Sequence, residues 1–160
     1  MAFSKVRLHD DFRHGGKSSL FATDWPNIST TDKLAIAQFV SDLSHGKDFQ
    51  GVNKESWICR HTLAEISNAE IYKKAGAWHY HCGPSYLGSG SVRTSSALER
   101  NLLGRDSREA FHYMKINAQT ITIFGFSKEH VPFLNQKDFV HRPDHPFYSA
   151  LLKKYGSSLF

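Results

Sequence analysis

The apolar positions of this chain follow a helical period in one stretch and alternate in three others. Ile36, Phe39, Val40 and Leu43 recur at i, i+3, i+4, i+7 spacing, the mark of a helix with one buried stripe. Ser29, Thr30 and Thr31 supply an N-cap, and Gly46 stands where a C′ glycine belongs, so the pattern predicts a helix over 31–45. From Ala77 to Cys82 the period becomes two. Trp78, Tyr80 and Cys82 fall on one face of a strand and His79 and His81 on the other, with Gly76 before and Gly83-Pro84 after as breakers. Alternation returns in 109–116 and 120–126, two runs rich in β-formers joined by Asn117-Ala118-Gln119, a link of hairpin length. Phe111, Tyr113 and Lys115 share one face there, and His112, Met114 and Ile116 the other. In the second run, Ile121, Ile123 and Gly125 alternate with Thr120, Thr122, Phe124 and Phe126, and Val131-Pro132-Phe133 ends it.

Elsewhere the pattern is thinner. A short strand is expected near 3–8, then an irregular arm with a turn at Trp25-Pro26-Asn27. Between 47 and 68, periodicity does not choose between a second helix and packed loop. Residues 69–73 read as a short strand turning at Ala75-Gly76. Residues 83–108 are rich in glycine, serine and threonine and carry Arg93, Arg100, Arg105 and Arg108, which suits a phosphate-contacting loop or a solvated linker. A short terminal helix is expected over 146–155. No repeat or boundary divides the chain, so 160 residues are read as one domain.

Composition changes the picture in three ways. A hydrophobic share of 40% with 13% aromatics is enough for a core, and no apolar run is long enough to span a bilayer. The first residues lack the apolar segment of a secretory signal, so Cys59 and Cys82 are expected as free thiols and the compartment as cytoplasmic. A net charge of +5, with ten histidines besides, favours polyanionic partners, nucleic acid first. A basic protein with scattered lysines has the same composition, so the choice falls to the candidate site.

His79 and His81, about 7 Å apart along one strand face, are the centre of that site. His112 and His130 come from positions expected to neighbour them in the sheet. With a third ligand the pair would make a metal-dependent hydrolase, but no Asp or Glu lies between Tyr72 and Glu99, and neither metal nor cofactor is expected. Metal-free RNA cleavage needs a base for the 2′-hydroxyl, an acid for the leaving 5′-oxygen and cations at the phosphate. Histidines suit both proton roles, and Arg93, Arg105, Arg108 and Lys115 carry charge. Tyr80, Tyr113, Phe124 and Trp78 can stack a base, in competition with core packing. No glycine-rich phosphate loop occurs.

The order of these pieces resembles the YafO-like branch of the RelE/ParE toxin superfamily. The resemblance rests on the helix ending in Ser44-His45-Gly46-Lys47, the strand Trp78-His79-Tyr80-His81, the segment from Gly104 to Tyr113, then Ile121-Thr122-Ile123-Phe124-Gly125-Phe126 with His130 behind. It covers 28–133, leaving 1–27 as an N-terminal arm and 134–160 as an extension. It implies an α+β fold: a small twisted antiparallel sheet of about four strands with an N-terminal helix on one face. It implies an endoribonuclease that blocks translation by cleaving mRNA, at the ribosome, and that is neutralised by a cognate acidic antitoxin. Two rivals stand beside it, the metal-dependent hydrolase and a non-catalytic module that binds nucleic acid or a protein partner.

Overall fold

The computed structural model describes residues 5–16, 23–67, 69–82 and 107–128. Arg93, Arg105, His130 and the expected terminal helix over 146–155 lie outside the described residues. The described elements are β1 (Lys5–Leu8), α1 (Asp10–His14), a 3-10 turn (Trp25–Asn27), α2 (Thr30–His45), β2 (Asn53–Glu55), α3 (Glu70–Ala75), β3 (Ala77–His81), β4 (Ala110–Asn117) and β5 (Thr120–Ser127). The fold is α+β. Its sheet has five strands in the order β1-β5-β4-β3-β2. Four of them form an antiparallel run, and β1 joins β5 in parallel, so the sheet is mixed rather than the four-stranded antiparallel one expected.

Helix α2 starts and stops as its sequence directs. The Ser29 hydroxyl accepts the Asp32 amide at 3.2 Å, satisfying one of the open donors of the first turn, and donates to the Asp32 carboxylate at 2.6 Å. Gly46 ends it in the left-handed region at φ 65°, with Lys47 N–H donating to the Asp42 carbonyl, a conformation a side chain would resist. Its stripe of Ile36, Phe39 and Leu43 is buried against the Trp78 and Tyr80 face of the sheet. Phe39 is the hub: its ring centroid lies 4.7 Å from Phe49, 4.9 Å from Tyr80, 4.7 Å from Phe111 and 5.7 Å from Tyr113. Deep in the same layer, the Tyr113 hydroxyl donates to Asn53 at 2.7 Å, and burial raises its pKa well above the ordinary phenol.

Three expectations need correction, and one undecided stretch takes a definite form. Residues 70–75 are a helix, not a strand; Ile71 and Tyr72 are good β-formers, but Gly76 in the left-handed region (φ 60°) closes a helical turn there. The undecided stretch after 47 yields β2, whose Asn53, Lys54 and Glu55 pair with Tyr80, His79 and Trp78, and a small hairpin closed by Ile58 and Glu65. The N-terminal arm is not separate from the core, since β1 lies in the sheet and Phe12 is fully buried in the aromatic layer. Simple alternation fails in β5, because His112 pairs with Gly125 while Tyr113 pairs with Ile123. The extra residue, Phe124, is a β-bulge. It brings Phe126, not Gly125, into the core opposite Phe111.

Candidate functional site

The face of the sheet away from α2 carries the histidines. Antiparallel register sets His79 directly across from His112 and from Lys54, making a row Lys54, His79, His112, Gly125 across four strands. His81 follows one pair along, opposite Ala110. The imidazole centroids of His79 and His81 are 5.1 Å apart, edge to face, and those of His79 and His112 are 6.2 Å apart. Three of the four candidate catalytic residues therefore form one cluster, with His79 in the middle.

The cluster is buried, and each ring is held by a serine residue. His79, with no solvent exposure, has Nδ1 3.2 Å from the Ser56 hydroxyl. His81 has Nδ1 2.7 Å from the Ser107 carbonyl oxygen. A carbonyl only accepts, so Nδ1 carries the hydrogen and the neutral ring keeps its lone pair on Nε2. His112 has Nε2 2.6 Å from the Ser127 hydroxyl, which itself donates to the Ala110 carbonyl at 3.5 Å. His81 and His112 each retain 4% exposure. Sequence reading missed all three serines and Lys54, a buried lysine whose amine donates to the Ile58 carbonyl at 2.6 Å.

The basic and aromatic candidates divide. Arg108 is exposed and directly follows Ser107, the residue bonded to His81. Lys115 is on the wrong face for that site: it shares the α2 side with Tyr113 and lies over the Trp78 ring, 3.5 Å from the centroid. Tyr80 is buried in the aromatic layer, its hydroxyl accepting the Gly51 amide at 3.1 Å, so it packs the core and cannot stack a base from where it stands. Trp78, Tyr113 and Phe124 are buried too.

Both cysteines are free thiols. Burial pushes the Cys82 thiol far above its ordinary pKa. The half-buried Cys59 is lowered instead, by hydrogen bonds from the Thr62 side chain and from the Thr62 and His61 amides. Among the described residues no group of three or more His, Cys, Asp or Glu side chains is arranged to hold a metal ion, and no helix is long and apolar enough to cross a membrane. No family model, curated protein or solved structure matches the chain.

Proposed function

We propose that the protein is an endoribonuclease that cleaves mRNA by histidine acid–base chemistry and so inhibits translation, a RelE-like toxin restrained by an acidic antitoxin protein. The observation that carries this is the convergence of His79, His81 and His112 on one sheet face, opposite the aromatic core. In this reaction His81 Nε2 takes the proton of a ribose 2′-hydroxyl. The 2′-oxygen then attacks phosphorus, and the 5′-oxygen leaves with a proton given by protonated His112, producing a 2′,3′-cyclic phosphate. His79, fully enclosed between them, is a positioning residue. Lys54 in the same row adds positive charge to this face, and Arg108 stands beside Ser107 at its rim. Arg93, Arg105 and His130 remain candidates on sequence grounds.

The test is incubation of the purified protein with an oligoribonucleotide and with translating ribosomes, in the presence of a chelator. Cleavage to cyclic-phosphate ends, abolished by 2′-deoxy substitution at the cut site, is expected; no cleavage of either substrate sinks the proposal. The same burial favours a second reading, a non-catalytic binding module in which the histidine–serine pairs serve as a polar layer of the fold. Under it neither substrate is cut, and His112→Ala lowers stability alone.

A further inference from the structure

The two edges of the sheet differ. On the β2 side Asn53 and Lys54 are buried. On the β1 side Lys5 and Arg7 are exposed, Val6 and Leu8 are half-buried, and among the described residues no strand lies beyond. Lys5 and His9 amides donate to Gln119 and Ile123 carbonyls, so the period-two backbone turns the N–H and C=O groups of Val6 and Leu8 outward. Such an edge is a template for another strand. We propose that β1 receives an extended acidic peptide of another protein, added as a sixth strand, with its carboxylates beside Lys5 and Arg7 and its alternate apolar side chains beside Val6 and Leu8.

Charge selects this occupant. Residues directly opposite in an antiparallel pair must share a face, so two copies of β1 joined about a twofold axis would set Lys5 against Arg7, or Arg7 against Arg7. Like charges in those positions oppose pairing, whereas Asp or Glu there favours it. The outward backbone groups favour a peptide over a nucleic acid, since alternating donors and acceptors in the sheet plane match another strand. This inference stands apart from the nuclease chemistry, because β1 lies beyond β5 and none of the clustered histidines comes from it.

The test uses the full chain and a fluorescent, end-capped heptapeptide of alternating valine and glutamate, with a valine–lysine peptide as comparison. Anisotropy should show the glutamate peptide binding with a Kd below about 1 mM, more weakly as salt rises, and the lysine peptide not binding. Val6→Pro removes an outward N–H that β5 does not use, so it should weaken binding about tenfold while the protein still unfolds cooperatively, at a melting temperature lowered by the lost packing of Val6. Lys5→Glu with Arg7→Glu, both at exposed positions, should reverse the peptide preference. The proposal is overturned if neither peptide binds, or if binding survives all these substitutions. Displacement of the peptide by a single-stranded oligoribonucleotide that Val6→Pro binds as well as wild type would assign the edge to nucleic acid and overturn it too. So would a concentration-dependent dimer abolished by Val6→Pro, which would assign the edge to a second copy.

Discussion

Replacing His81 by alanine and by asparagine separates its two roles. The alanine variant removes a buried donor and leaves the Ser107 carbonyl, 2.7 Å away in the native protein, without its imidazole. An acceptor stripped of its partner inside a protein costs about 1–3 kcal/mol, so the variant should be measurably less stable rather than neutral. Asparagine places an amide N–H near the position of Nδ1 and should keep most of that bond, at a loss below about 1 kcal/mol. Neither side chain can accept and return a proton at neutral pH, so both should cleave RNA about 100-fold or more slowly. Urea unfolding followed by tryptophan fluorescence gives the stabilities, and initial rates on an oligoribonucleotide give the activities. If His81→Asn cleaves at the wild-type rate, His81 is not the base. If it is as unstable as His81→Ala, the Ser107 bond is not what holds the ring.

Trp78→Ala should cost roughly 3–5 kcal/mol in the same unfolding assay, since the buried ring closes the α2 side of β3 under Lys115; a loss below about 1 kcal/mol would place it outside the core. Gly51→Ala should destabilise by about 1–3 kcal/mol, because a methyl group there overlaps the His81 carbonyl oxygen, and the variant should lose cleavage with stability; a neutral melting curve would contradict the packing. Iodoacetamide should alkylate Cys59 in the native protein, at a rate that rises with pH about a midpoint below the ordinary thiol value, because its lowered pKa populates thiolate earlier. Cys82, buried with its thiol pushed up, should react only after unfolding, and mass mapping showing equal labelling would refute the assignment.

What could be read from the sequence was what its own neighbours encode. Helix α2 carries its start at Ser29, its stop at Gly46 and its stripe between them. The two-faced character of β3 follows from strict alternation over Trp78, His79, Tyr80 and His81, and the β4–β5 hairpin from its short polar link. What could not be read was decided across the chain. Asn53-Lys54-Glu55 contains no apolar residue, and becomes a strand only because β3 offers it an edge. Parallel pairing of β1 with β5 joins residues more than a hundred positions apart, with no local signal. The serine residues that hold the three histidines lie 23, 26 and 15 positions away from them, and a serine in sequence says nothing about which imidazole it will meet. Lys115 shows the opposite failure: its face was legible, but its charge drew it into a site on the other side of the sheet.

The bulge at Phe124 makes residue count, as well as residue type, part of what the sequence specifies. Upstream of it Ile121 and Ile123 address the aromatic layer; downstream Phe126 does, while Gly125 and Ser127 address the histidines. Phe124 thus works as a parity switch in the chain. Removing it would leave Ile123 and Gly125 consecutive, opposite Tyr113 and His112, so the ladder would close into simple alternation with Phe126 still in the core and Gly125 and Ser127 still on the histidine face. Deletion of Phe124 is therefore the mild change of chain length in β5, whereas an insertion there adds a second unpaired residue to the bulge. Loss of one residue should accordingly be tolerated in the Ala118–Gln119 turn and at Phe124, and gain of one refused between Thr122 and Ser127.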